Sequence, residues 1–214
     1  MTTTGDTNSI TAGRGLPEFW FSPTSPYSYL SIMRIVELSK QAGVEWKWQP
    51  VGLPPIFKAL GWKVNPYADF QVKQDYMWLD VARLAKLYGL PFVRPKHYPQ
   101  NPLPAIKVAL VACDQGWGVD FAIAATHTNF GEGHDLSEAS NIEKVVAGMG
   151  KTLDVGQIIS DPAMDRRMEA IAKEALKRKL FGAPTFFVGR EMFWGNDRLE
   201  HAIAYAASKK VLSS

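Results

Sequence analysis

The sequence predicts an α/β fold whose elements run β-α-β, then a long helical block, then β-β-α. Three observations predict it. Two aromatic runs near opposite ends, Glu18–Phe21 and Thr185–Val188, have the character of buried strands. A serine–proline pair directly after the first run opens an apolar helix. Between the two runs the apolar residues recur mainly at helical spacing.

Taken in order, Glu18–Phe21 lies between Pro17 and Ser22-Pro23, which bound it as a short strand. Ser25 sits at an N-cap position and Pro26 in the first helical turn, and Leu30, Met33, Ile35, Val36 and Leu38 carry that helix toward a stop at Gly43. Residues 44–51 alternate apolar and polar side chains and form the second strand. A long amphipathic helix is expected from Phe70 to Tyr88, with Tyr76, Leu79, Ala82, Leu84 and Leu87 as its apolar residues, ended by Gly89 and Pro91. After a proline-rich connector, further helices are expected at 105–114, 121–130, 142–148 and 164–180. Thr185–Val188 then turns through Gly189-Arg190 into Glu191–Trp194 as a hairpin, and a closing helix begins near Asp197 and runs through Ala207.

The bulk properties exclude several classes. The chain has 214 residues, 46% of them hydrophobic and 21% charged, proportions that support a packed core. A net charge of +3 is too small for a nucleic-acid footprint. The single cysteine, Cys113, rules out both an internal disulfide and a paired-thiol redox centre within this sequence, and on its apolar helix it reads as a buried small hydrophobe. No window is apolar enough for a signal peptide or a membrane span, so a cytoplasmic location without membrane contact is expected. The four histidines lack metal-ligand spacing, and no metal is expected. Gly148-Met149-Gly150-Lys151-Thr152 imitates the end of a phosphate-binding loop, but Val145 stands where its first glycine belongs and a helical run precedes it. The basic run from Lys173 to Lys179 reads as a solvated helix face, and Trp46 and Trp48 as core.

Four passages, in this order, resemble one family. They are Phe21-Ser22-Pro23-Thr24-Ser25-Pro26-Tyr27-Ser28-Tyr29, Phe57-Lys58-Ala59-Leu60-Gly61-Trp62, Phe181-Gly182-Ala183-Pro184-Thr185-Phe186-Phe187-Val188-Gly189 and Phe193-Trp194-Gly195-Asn196-Asp197-Arg198-Leu199. The chain resembles the 2-hydroxychromene-2-carboxylate isomerases, relatives of kappa-class glutathione transferases and DsbA-like proteins, from about Phe19 to about Ala207. The resemblance implies a thioredoxin-like fold of the DsbA/kappa type with an inserted helical domain. It divides the chain into a flexible tail (1–17), a thioredoxin-like domain (18–53 with 181–214) and the insert (54–180).

The same resemblance implies the site. Ser25-Pro26-Tyr27-Ser28 occupies the slot of a Cys-Pro-x-Cys pair, so Ser25 becomes the catalytic residue, donating a hydrogen bond to a glutathione thiolate at a helix N-terminus. Pro184 resembles the fold's cis-proline, which turns Ala183 toward an extended peptide; Trp194, Gly195, Asn196 and Asp197 resemble the clamp on the γ-glutamyl end. There Asp197 would pair with the ammonium, and Asn196 with main-chain amides would hold the carboxylate. Lys58, Asn65 and Tyr98, with Lys73 nearby, are the expected substrate contacts. The implied reaction is a cis–trans isomerisation of a small aromatic 2-oxo acid by reversible thiolate addition, in a homodimer. Plainer readings stay open beside it. Ser25 alone reads as an N-cap, Pro184 as a strand-start proline, Asp197 as a dipole partner, and Lys58 and Lys73 as solvated lysines. Two further functions compete with the isomerase: a kappa-like transferase that keeps the conjugate, and a non-catalytic binding module.

Overall fold

Large aromatic side chains alternate sides along β1 and β3, and that alternation builds two cores on one sheet. In the computed structural model, which describes residues 15–62 and 70–211, β1 (Glu18–Phe21) pairs in parallel with β2 (Lys47–Pro50) and antiparallel with β3 (Thr185–Val188). β3 pairs antiparallel with β4 (Glu191–Trp194), giving the order β2-β1-β3-β4. Phe19, Phe21 and Phe186 face one side, where α1 (Pro26–Gln41), α5 (Gly118–Thr126) and α9 (Leu199–Val211) cover them. Trp20, Phe187 and Met192 face the other, under α2 (Leu53–Ala59) and α8 (Pro162–Lys177). Phe19 stacks on Phe186 at 5.0 Å and meets Trp48 edge-on at 4.9 Å, so the first core is built around aromatic contact.

The remaining helices extend these layers. α3 (Gln71–Leu87) packs Met77, Trp78, Val81 and Ala85 against Tyr29 and Leu30 of α1. α4 (Leu103–Asp114), α5, α6 (Ala139–Gly148) and α7 (Val155–Ser160) share a third cluster around Phe121, Ile142 and Val145. Ala122 of α5 belongs to the sheet's own core, and Met164 and Met168 of α8 pack with Ile106 and Leu110 of α4. The helical block and the sheet are therefore welded along several seams.

The β-α-β, helical, β-β-α order is as the sequence predicts, with informative differences. The sequence pattern does not announce α2 or α7. Pro54 and Pro55 look like breakers, yet α2 begins at Leu53 with proline in its opening turn, where a missing amide costs nothing. α3 turns over: Tyr76, Leu79 and Leu87 are exposed, at 59%, 49% and 74%, while the Met77–Ala85 face is buried. Both faces of α3 carry apolar residues, so periodicity alone could not choose between them. The helix expected at 121–130 begins earlier, at Gly118, and passes after Thr126 into a π-helical turn, His127–Gly131. α6 runs to Gly148, so the segment Gly150-Lys151-Thr152 follows a helix, as the sequence pattern predicts.

Arg178 is not merely a solvated charge in a basic run. It lies 3.7 Å over the Phe187 ring and pairs with Glu18 at 2.8 Å, capping the second core. Lys179 adopts a positive φ of 61° just past α8, the left-handed closing position that glycine more often fills. The N-terminal residues 1–14 lie outside the described residues.

Cys113 is half-buried rather than fully buried, its Sγ 3.9 Å from the Trp48 carbonyl. Burial pushes its thiol up to about 11, with Asp114 adding to the effect. The folded state thus holds this proton more tightly than the unfolded chain. Its contribution to stability is intact below the unfolded thiol's titration and is lost as pH rises toward 11. At pH 8, iodoacetamide should alkylate native Cys113 at least about tenfold more slowly than the urea-unfolded chain, as mass spectrometry would read out.

Candidate active site

Ser25 ends the β1–α1 connection, and its position is fixed by its own capping bond. With φ −96° and ψ 122° it is the N-cap of α1, its Oγ accepting from the Ser28 amide at 3.2 Å, with Pro26 in the opening turn. The plain capping role is therefore real. The same Oγ also donates to the Ala183 carbonyl at 3.3 Å, across 158 positions of sequence. Ala183–Pro184 is a cis peptide immediately before β3, so the hydroxyl at the helix end faces the expected cis-proline. Ser28, wholly buried, instead sits beneath the turn, its Oγ 3.4 Å from the Ser22 amide.

A cleft of about 1450 Å³ opens at this junction. Ser25, Ala183, Pro184, Trp194, Gly195, Asn196, Asp197, Lys58 and Tyr98 all line it, so nine expected site residues meet in one cleft. Asn65 lies outside the described residues. One wall is the α1 N-terminus with the two loops flanking the β3–β4 hairpin. Facing it are α2, α3 and the segment from Tyr98 to Pro102, which contains a second cis bond, Tyr98–Pro99.

The rim after β4 is tightly built. Trp194, 48% exposed, packs on Phe181 at 4.8 Å. Its indole crosses Gly182 so closely that a Cβ there would lie 2.5 Å from Nε1. Gly195 has φ 110° and ψ 154°, a conformation open essentially to glycine, and Asp197 folds back over it. Asp197 Oδ2 pairs with its neighbour Arg198 at 2.9 Å, and the carboxylate is largely exposed. Asn196 departs from its expected role. It is only 2% exposed, its Oδ1 accepts from Ser31 Oγ at 3.1 Å, and its Nδ2 donates to Tyr88 Oη at 3.5 Å. Its amide pins the turn to α1 from beneath. Tyr88 is held in turn by Arg34, whose guanidinium lies 3.6 Å over its ring. Burial lowers the Arg34 pKa, which Tyr88 partly offsets.

Several cleft residues carry no signal of their role in the sequence. Tyr27 donates to Asp80 Oδ2 at 2.8 Å, joining α1 to α3 inside the cleft. Lys73, already expected near the substrate contacts, recurs with Met77, Asp80 and Leu84 at three- and four-residue intervals, so one face of α3 lines the cleft. That stripe is visible in the sequence, but nothing in it marks which face turns inward. Gln100 and Asn129 exchange two side-chain bonds, at 2.8 and 3.0 Å, and Asn129 reaches the Pro23 carbonyl at 3.4 Å. The π-helical turn aims Asn129 at both loops.

With this geometry in view, comparisons with known proteins agree on the fold family. A family model for the DSBA-like thioredoxin domain matches residues 18–205. A 2-hydroxychromene-2-carboxylate isomerase of Pseudomonas putida is 30% identical over 194 residues, covering 85% of this chain and 89% of that protein. Glutathione S-transferase kappa 2 of Caenorhabditis elegans is 27% identical over 213 residues, covering 91% and 92%. A solved 2-hydroxychromene-2-carboxylate isomerase superposes with a TM-score of 0.81 at 28% identity, covering 94% of this chain and all of that one.

Replacing Gly195 with alanine should force its backbone out of a region closed to side chains and drive Asp197 from its place. A stability loss of about 1–3 kcal/mol is expected from urea unfolding midpoints.

Proposed function

The chain belongs to the DSBA-like thioredoxin family, with the 2-hydroxychromene-2-carboxylate isomerases among its members, and from that premise we propose a glutathione-dependent cis–trans isomerase. Its substrate is 2-hydroxychromene-2-carboxylate or a similar aromatic, unsaturated 2-oxo acid. The observation that carries this reading is Ser25 Oγ at the positive end of α1, 3.3 Å from the carbonyl that precedes a cis-proline.

A serine hydroxyl cannot exchange electrons with a disulfide, but it can donate to a thiolate. Swinging its proton from Ala183 to the sulfur of glutathione would stabilise the anion where the helix dipole already favours negative charge. The freed Ala183 carbonyl and its backbone neighbours would then pair with the extended tripeptide. Asp197 takes the γ-glutamyl ammonium with Trp194 beside it; backbone at Gly195 and Asn196 holds the carboxylate. The thiolate adds to the conjugated double bond, which becomes single, rotates and expels the sulfur. Covalent addition is needed because an intact double bond rotates too slowly. Lys58 and Tyr98 line the wall that would receive the substrate carboxylate and the transient enolate oxygen.

In this reading residues 18–53 and 181–214 hold the thiol, and residues 54–180 enclose the substrate; the enzyme works as a cytoplasmic homodimer. The kappa-class relative supports a second reading, a transferase that retains the conjugate.

Calorimetry should detect glutathione binding at micromolar to low-millimolar Kd, about ten- to a hundredfold weaker in Asp197→Ala. In turnover of the chromene, Ser25→Ala should lower kcat/KM by about 10²- to 10³-fold. Regenerated glutathione identifies the isomerase, and a stable adduct the transferase. Absence of glutathione binding to the wild-type protein would sink both and leave a binding module.

A further inference from the structure

Isomerising a chromene demands more than a thiol. In 2-hydroxychromene-2-carboxylate the ring oxygen and a hydroxyl share one carbon, so the molecule is a cyclic hemiketal. Its ring double bond cannot become trans while the ring is closed. Opening removes the hydroxyl proton and breaks the bond from that carbon to the ring oxygen, leaving the electron pair on the aryl oxygen. A proton donor and acceptor must stand beside the thiol site.

The cleft holds such a couple, and the thiol chemistry does not use it. Tyr27 follows Ser25 by two positions, in the first turn of α1, and its Oη donates to Asp80 Oδ2 at 2.8 Å. Both residues line the cleft, on walls that belong to different helices. Other acidic groups there have partners of their own: Asp197 pairs with Arg198, Tyr88 is engaged by Asn196 and Arg34, and Tyr98 Oη lies 3.8 Å from Met77 Sδ. A phenol whose proton is held by a carboxylate has a more electron-rich oxygen, which is a better acceptor for an incoming hydroxyl proton.

Resting on the isomerase reading, we propose that Tyr27 and Asp80 form the proton relay that opens the hemiketal ring. The hydroxyl proton passes to Tyr27 Oη as the phenol proton passes to Asp80. The carbon–oxygen bond breaks, its electrons moving to the aryl oxygen, and the 2-oxo group forms. The protonated Asp80 returns its proton through Tyr27 to the aryl oxide. Net, one proton moves between two oxygens of the substrate, and no oxidant or reductant is consumed. Tyr27 is the acid–base group; Asp80 positions it and stores the proton.

A purely structural tie between α1 and α3 would use the same bond, so the test must separate the two. Tyr27→Phe removes the relay, whereas Asp80→Asn keeps an acceptor oxygen but cannot store a proton. Each is assayed with glutathione on two substrates. One is 2-hydroxychromene-2-carboxylate; the other is (Z)-2-oxo-4-phenylbut-3-enoate, which lacks the aryl hydroxyl, cannot cyclise and needs only the thiol step. Both variants should lower the ratio of kcat/KM for the chromene to that for the phenyl compound by about 10²-fold or more. They should bind glutathione like the wild type in calorimetry. Equal losses on the two substrates, or an unchanged ratio in either variant, overturn the relay. A wild-type enzyme that isomerises only the phenyl compound overturns it as well. Wild-type failure on both substrates overturns the isomerase reading itself.

Discussion

The antiparallel pairing of β1 with β3 is the contact on which the rest of the molecule depends. It joins segments more than 160 residues apart in register, Phe19 opposite Phe186 and Trp20 opposite Thr185. Such a closure carries a loop-entropy cost that grows slowly with length, so a few well-buried aromatic rings can offset it. Phe19 and Phe186 are both wholly buried and stacked, and truncating either to alanine would typically cost about 3–5 kcal/mol. Because only Ser22–Thr24 separate β1 from Ser25 and Pro184 runs straight into β3, this pairing also helps to set Ser25 against Ala183. Fold stability and site geometry are consequences of one register.

A second constraint acts on the loops. Connections that line a cleft cannot leave polar groups dry without cost, and here the buried ones are answered by side chains. Gln100 and Asn129 satisfy each other, and Asn129 also ties the segment before Ser25 to the segment after the cis bond at Tyr98–Pro99. Tyr29, buried beneath α3, donates to the Pro91 carbonyl, and burial pushes its phenol up to about 12. A fixed cleft mouth thus follows from satisfying buried donors, and rigid first contacts are what a site acting on transient charge requires.

How far the sequence reveals this depends on the range of the forces involved. The strands, the hairpin, the Ser25 cap and the overall order are legible because aromatic alternation, capping and glycine turns act over a few residues. Ser25, Pro184 and the Trp194–Asp197 turn are singled out by the family resemblance; local signals alone give an N-cap, a strand-start proline and a dipole partner. What escapes is tertiary. α3 has two apolar faces, and the face that is buried is the one packed against distant residues, Tyr29, Leu30, Phe92 and Tyr98, around Met77 and Trp78. Asp80 carries no motif, and its meaning comes from Tyr27, 53 positions away. Asn196 looks like a ligand contact because its type fits one, but Ser31 claims its side chain first. Arg178 looks solvated because its ring partner, Phe187, is distant in chain and near in space.

On the proposed reading, Asn196 also bears on how a serine would serve in place of a thiol pair. Ser25 and Ser31 lie on the same helix, six residues apart, which at about 1.5 Å per residue separates them by about 9 Å along α1. Ser25 meets the proposed sulfur, while Ser31 anchors Asn196 and with it the turn that carries Asp197. A helix is a stiff ruler, so on that reading α1 would help to set the distance between the thiol end and the γ-glutamyl end. A redox cysteine would hold its partner covalently and tolerate some looseness in the remaining contacts. A serine offers one hydrogen bond, of about 1.5–3 kcal/mol to a charged partner, and must receive the sulfur already in position. Fixing both ends of the tripeptide relative to one helix would convert that modest bond into a directed one, because the entropy of alignment would be met by the fold before the ligand arrives.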